Sequence, residues 1–404
     1  MKPRQNLANA GVAVWLDDLS RQRLASGGLA KMVDDGQIVG ITTNPTIFAK
    51  AIGSGEGYET QLHELTLRGT AVGEALRLLT GWDVRAACDL LRPVFERTAG
   101  RDGRVSLEVD PRISGDADRT VAEARGLWWL IDRPNLFIKI PATRACMPAI
   151  TAALEEGISV NVTLIFSVDR YEAVVEAFLT GLERRADAGG DLAGIESVAS
   201  FFISRVDVEV DRRLGAGADG QESASLRGQA AIANARLAYR IYEQVLASDR
   251  WQRLAAKGAR MQRLLWASTG VKDPAFEDTR YVTELVAPDT VNTMPEATLK
   301  AVVNHATVVG DPVRAGYAEA DALLARLAER GVDMADVEAV LEQQAITSFA
   351  ASWDELIASV TAQLEKEGAT VMPAGAVTPA SGDGHSSAAP AAGAPATTSA
   401  GDKK

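Results

Sequence analysis

The chain has 404 residues, 47% hydrophobic and 24% charged, with a formal net charge of −12. That is the balance of a globular protein large enough for one barrel or two ordinary domains. The acidic excess argues against a nucleic-acid-binding face, and three histidines without an HExxH pattern or a His/carboxylate cluster argue against a zinc centre.

Taken in chain order, Lys2 and Arg4 precede a partly apolar stretch that only faintly resembles a signal peptide. Asn6 and Asn9 interrupt it, no A-x-A site follows, and Asp17-Asp18 closes it. Residues 12–18 are expected as a strand instead. Further strand-like runs fall at 38–45, 105–111, 136–142, 159–167, 197–204, 263–270 and 281–287, with helical segments between most of them. Eight strands alternating with helices predict an α/β fold, a TIM-type (β/α)8 barrel with additional helices. Gly53-Ser-Gly-Glu-Gly57 has no strand before it and reads as a turn between helices, not a nucleotide loop.

Ser167 is a candidate N-cap for a helix whose apolar stripe is Tyr171, Val174, Val175, Phe178, Leu179 and Leu182. A later stripe, Phe349, Trp353, Leu356, Ile357, Val360 and Leu364, predicts a last helix packed across the barrel or one of its ends. No run approaches the ~18 apolar residues of a membrane span. From about Pro373 the composition collapses into Ala, Gly, Pro, Ser and Thr. Residues 1–371 are therefore expected as the barrel and 372–404 as a disordered tail. Cys88 and Cys146 are the only cysteines, without CxxC spacing, consistent with a reducing cytoplasm.

Lys139 is the most telling residue. It sits inside Leu136-Phe-Ile-Lys-Ile-Pro141, an apolar run that reads as a buried parallel strand. Two readings are open. The stem is buried while the ammonium reaches the strand end, or burial lowers its pKa and makes it a nucleophile toward carbonyls. Neighbouring strands carry polar faces: Ser106, Glu108 and Asp110 on one, Ser159, Asn161 and Thr163 on another. On an antiparallel sheet this would be a solvated face. In a barrel these side chains point inward and need partners, so Glu108 is expected to face a ligand. Asp17, Asp18, Thr42, Asn44, Ser200, Arg205 and Ser268 stand at strand ends. Arg205, followed by Asp207, Glu209 and Asp211, is either a phosphate ligand or the start of a charged helix.

Several blocks together resemble the transaldolase family. They are Gly40-Ile-Thr-Thr-Asn-Pro-Thr-Ile-Phe48, Asn135-Leu-Phe-Ile-Lys-Ile-Pro-Ala-Thr143, Ser159-Val-Asn-Val-Thr-Leu-Ile-Phe166, Val198-Ala-Ser-Phe-Phe-Ile-Ser-Arg205 and Trp266-Ala-Ser268. The likeness spans roughly residues 10–370. Trp15-Leu-Asp-Asp18 and Leu265-Trp-Ala-Ser-Thr-Gly270 are similar to the actinobacterial type. The resemblance implies transfer of a dihydroxyacetone unit from sedoheptulose 7-phosphate to glyceraldehyde 3-phosphate in the pentose phosphate pathway.

The same resemblance implies Lys139 as Schiff-base former, Asp17 as acid/base for carbon–carbon cleavage, and Glu108 with Thr163 as holders of a proton-shuttling water. Asn44 and Asn161 would bind the dihydroxyacetone hydroxyls, with Thr42 and Ser200 nearby, and Arg205 and Ser268 would grip the phosphate. One departure matters. Many family members place an arginine two residues after the position of Ser268, where this chain has Gly270; Lys272 is the candidate replacement. No metal or cofactor is implied. The expected partners are sugar phosphates, not nucleic acid or membrane, with a homodimer left open. A fructose 6-phosphate aldolase-like enzyme and a non-catalytic sugar-phosphate-binding barrel are the alternatives.

Overall fold

The computed structural model describes residues 3–215 and 225–368; the expected tail, 372–404, lies outside them. Eight parallel strands close a barrel in sequence order: β1 (Val12–Asp17), β2 (Gly40–Thr42), β3 (Arg104–Glu108), β4 (Leu136–Pro141), β5 (Val160–Ile165), β6 (Ser197–Phe202), β7 (Arg263–Ala267) and β8 (Thr290–Met294). Strand β8 pairs with both β7 and β1, which completes the ring. Every residue of β3 to β8 is buried. Such strands need helices outside and side chains filling the inside.

The interior shows why particular residues are where they are. The rings of Trp15 and Phe137 stack with centroids 6.0 Å apart. Gly40 stands opposite Trp15 in the β1–β2 register. A Cβ at Gly40 would lie 2.5 Å from the indole, so only glycine lets β2 pass this ring.

The eighth strand corrects the sequence reading. Residues 281–287 contain the short helix Arg280–Thr283 and a loop, and the strand lies further on, at Thr290–Met294. Tyr281, Val282, Leu285 and Val286 are buried, but at i, i+1, i+4 and i+5, the spacing of a helical face. The strand itself is polar at Thr290, Asn292 and Thr293, which hid it. Expected strands also run too far at their C-terminal ends: β2 stops at Thr42 because Asn44 caps the helix Pro45–Gly53, its Oδ1 accepting from Ile47 N at 3.1 Å.

Helix Val168–Asp187 starts at the Ser167 cap as expected and buries its stripe. The last helix, Met334–Lys366, runs 33 residues. It packs along helix Pro45–Gly53 and brings Ile346 and Phe349 to the C-terminal mouth of the barrel. Buried Arg170 fastens its first turns through Glu338 at 3.0 Å and Glu342 at 2.7 Å. Among the described residues, no helix is long and apolar enough to cross a membrane.

Candidate active site

The C-terminal strand ends surround a pocket of about 650 Å³. Lys139 enters it from β4, only 6% exposed. Its Nζ donates to the Thr43 carbonyl at 2.8 Å and makes no ion pair within 4.0 Å with a described carboxylate. Two carboxyl groups stand near without pairing to it. Burial pushes the Asp17 carboxyl up from its ordinary value, against the pull of the Lys139 charge. Burial raises Glu108 as well, again opposed by Lys139. Burial thus favours the neutral form of both carboxyls, which suits them to hold and pass a proton beside the amine.

Asp17, the last residue of β1, and Asp18 just after it part company. Asp18 binds Arg23 at 2.6 Å, and Arg23 also binds Glu296 at 2.6 Å, so its charge is spent on structure. Asp17 instead accepts from the Thr42 hydroxyl at 2.7 Å, and Thr42 meets Thr293 at 2.6 Å. With Asp17 ionised, the proton order is Thr293 to Thr42 to Asp17, which fixes the carboxylate's rotamer. Thr293 was missed in the sequence because its strand was misplaced. The available signal was the β-branched content of Thr290-Val-Asn-Thr-Met294 just before a Pro-Glu helix start.

Glu108 lies beside the main pocket, in a side cavity of about 20 Å³ shared with Lys139 and Thr163. Glu108 Oε1 and Thr163 Oγ1 are both buried and make no hydrogen bond within the protein. Two unpartnered oxygens facing a cavity of one-water size form a site for a single polar guest. A bulge aims Thr163 there: the β5–β6 register shifts between Val162 and Ile165, and Leu164 takes the left-handed region at φ 63°. That conformation costs a non-glycine residue roughly 1–2 kcal/mol, the kind of strain that tight packing sustains at functional sites.

Asn161 sits one layer lower than expected. It is fully buried, donates to Ser106 Oγ at 3.0 Å and accepts from Ser200 Oγ at 2.7 Å. It does not line the main pocket, whereas Ser200 does. Asn44 lines the pocket with its Oδ1 used as the helix cap, and no described residue takes its amide N–H groups.

Arg205 opens helix Ser204–Gly215, as one of the two sequence readings of this segment expected. The acids that follow turn away: Asp207 accepts from Ala231 N and the Tyr281 hydroxyl, and Glu209 takes Arg212 and Arg213. Arg205 itself lies over Phe202 at 5.6 Å and Phe349 at 5.9 Å and forms no ion pair with a described carboxylate. Burial lowers its pKa. A half-desolvated guanidinium without a counter-ion is a receptor for an anion. Across the mouth, Ser268 holds Ser204 by a 2.9 Å hydroxyl contact with its own backbone at φ 56°. Lys272 reaches back so that its Nζ lies 4.0 Å from where a Cβ on Gly270 would be. Lys272 thus places a cation beside Gly270 on the pocket wall.

The molecule is therefore a (β/α)8 barrel with a buried amine between two carboxyls and an unpaired guanidinium at its mouth, the equipment of an enzyme that forms imines with phosphorylated carbonyl compounds. The chain belongs to the transaldolase/fructose-6-phosphate aldolase family, whose model matches residues 14–360. It is 61% identical to a transaldolase of Thermobifida fusca over 90% of this chain and 98% of the relative. It is 59% identical to transaldolases of a Parafrankia species, with 90% and 98% covered, and of Acidothermus cellulolyticus, with 90% and 97% covered.

Proposed function

We infer that the protein carries out the transaldolase reaction, moving a dihydroxyacetone unit from sedoheptulose 7-phosphate to glyceraldehyde 3-phosphate and yielding erythrose 4-phosphate and fructose 6-phosphate. The observation that carries this reading is Lys139, an amine buried without an ion pair between two carboxyl groups. Relatives at 57–61% identity named transaldolase support group transfer over simple aldol cleavage.

Lys139 attacks the C2 ketone of the donor. Glu108, with Thr163, handles the water lost and regained at that carbon. The iminium then accepts the electron pair of the C3–C4 bond as Asp17 takes the C4 hydroxyl proton, and Thr42 and Thr293 hold Asp17 in line. Asn44 and Ser200 bind the hydroxyls of the retained three-carbon unit, and Asn161 orients Ser200. Arg205, Ser268 and Lys272 hold the phosphate. The enamine waits for the aldose acceptor, and the steps reverse.

Borohydride reduction in the presence of fructose 6-phosphate, with peptide mapping, tests this: a three-carbon adduct on Lys139 is expected. An adduct elsewhere, or turnover without one, would sink it. We also propose that the protein works in the cytoplasm and that residues 372–404 are not needed for catalysis. The two buried free cysteines, Cys88 and Cys146, support the first. Truncation after residue 371 tests the second, with unchanged kcat expected and lost activity counting against it.

A further inference from the structure

Thr43 touches both the amine and the acid. Its carbonyl accepts from Lys139 Nζ at 2.8 Å. Its hydroxyl oxygen lies 2.8 Å from the Ser106 carbonyl oxygen and 2.8 Å from Glu108 Oε2. The residue is fully buried. A threonine hydroxyl carries one proton, and a carbonyl oxygen can only accept. That proton is committed to Ser106, which leaves lone pairs facing Glu108. Two buried oxygens at this distance need a proton between them, and only Glu108 can supply it.

We propose that Thr43 is a positioning residue that keeps Glu108 in the resting enzyme as the neutral acid, its Oε2–H donated to Thr43 Oγ1 and its Oε1 turned to the cavity shared with Thr163. The inference rests on the reading of Lys139 as imine former and adds the starting place of the proton. In carbinolamine dehydration the nitrogen lone pair forms the C=N bond, and the C2–O bond breaks with its electrons going to oxygen. The Glu108 proton joins that oxygen, which leaves as water. A carboxylate then remains beside the new iminium, so the ion pair is created only when the intermediate exists.

The ionisable groups around Glu108 are few. Lys139 faces it from β4 and Asp17 from β1. On its other side Arg77 and Glu123 line a neighbouring cavity, neutralising each other at 2.7 Å. The C-terminal helix contributes only apolar side chains to these cavities, Phe349 and Trp353 among them.

The test is the pH dependence of imine formation at Lys139, followed by quenching and reducing the fructose 6-phosphate adduct, in the unmodified protein, Thr43→Val and Thr43→Ser. The acid form of Glu108 is the competent one, so the rate falls as pH rises through its ionisation. Thr43→Val keeps the branched shape and the carbonyl that Lys139 uses but removes the acceptor. Its descending limb should move down by about one pH unit, a tenfold change in ionisation constant, while Thr43→Ser should leave the limb in place. A limb that moves up means the hydroxyl donates to a carboxylate, and one that stays means it does nothing; either overturns the proposal.

Should Thr43→Val not fold, the infrared difference between the unmodified protein and Glu108→Gln at neutral pH decides. Loss of a carboxylic-acid carbonyl band supports the assignment, and loss of carboxylate bands alone refutes it. Turnover without an adduct on Lys139 overturns the imine reading itself, and the infrared measurement still judges Thr43.

Discussion

The two ends of the barrel handle charge in opposite ways. At the N-terminal end, fully buried Glu196 takes Arg260 at 3.0 Å and lies 3.9 Å from Arg101, which also binds Asp289 at 3.0 Å. Arg263 pairs with Asp102 at 2.9 Å. Arg104 donates to the carbonyls of Gly100 and Pro134 and lies against Phe95 and Phe137; burial lowers its pKa to about 10. At the C-terminal end, Lys139 and Arg205 have no ion pair among the described residues, and Asp17 and Glu108 are pushed up by burial. The N-terminal end closes its charges on one another or, for Arg104, on backbone carbonyls, as a plug does. At the C-terminal end Lys139, Asp17, Glu108 and Arg205 stand outside the ion-pair network that takes up Asp18, Arg23 and Glu296.

That contrast can be broken by substitution. Lys139→Met should abolish turnover, a loss on the order of 10⁴-fold or more, as when an enzyme loses its nucleophile. Its melting temperature should hold or rise, because the replaced ammonium has no ion pair to lose; a large fall in Tm would mean the lysine is structural. Next in size, Arg205→Ala should raise KM for fructose 6-phosphate about tenfold to a hundredfold, the worth of a charge-assisted hydrogen bond. Activity on unphosphorylated dihydroxyacetone should change little. Proportional loss on both substrates would remove the phosphate assignment.

At the plug the effects should reverse. Glu196→Gln strips the shared partner from Arg101 and Arg260 and should cost roughly 3 kcal/mol, the scale for breaking a buried ion pair. Tm should fall by several degrees while KM and kcat stay unchanged; altered KM would mean the two ends are coupled. The smallest effect concerns Asp207, pushed up to about 6 by burial, with its hydrogen bonds from Tyr281 and Ala231 opposing. The folded protein holds this proton more tightly than the unfolded chain, so its contribution to stability is full below about pH 4 and lost as pH rises through about 6. Asp207→Asn should flatten the stability profile across that window, which denaturant titrations at several pH values would reveal. An unchanged slope would show that Asp207 ionises normally.

Most of the barrel was legible because parallel strands leave near-continuous apolar runs, and Lys139 stood out against one of them. The eighth strand was not, since Thr290, Asn292 and Thr293 dilute its apolar signal while the short helix Arg280–Thr283 and the buried loop after it imitate a strand. The same error hid Thr293, and with it the support behind Asp17. Alternation along β2 puts Thr42 and Thr43 on opposite faces, yet the strand ends between them and both reach the site. Asn161 was rightly placed inside the barrel, but its depth depends on Ser106 and Ser200, two neighbours from other strands. Arg205 was undecidable locally because its lack of a carboxylate partner follows from where Asp207 and Glu209 turn: Glu209 goes to Arg212 and Arg213 of its own helix, but Asp207 goes to Ala231 and Tyr281, distant in sequence.

The long C-terminal helix carries a consequence for biosynthesis. Ile346 and Phe349 complete the side cavity over Glu108 and Thr163, and Phe349 also covers Arg205. A ribosome delivers the eight strands and every acid–base group before it delivers these two side chains. At ~5–20 residues per second the interval is only seconds, but a chain that stops before Ile346 carries Lys139, Asp17, Glu108 and Thr163 without the apolar wall that these two side chains supply.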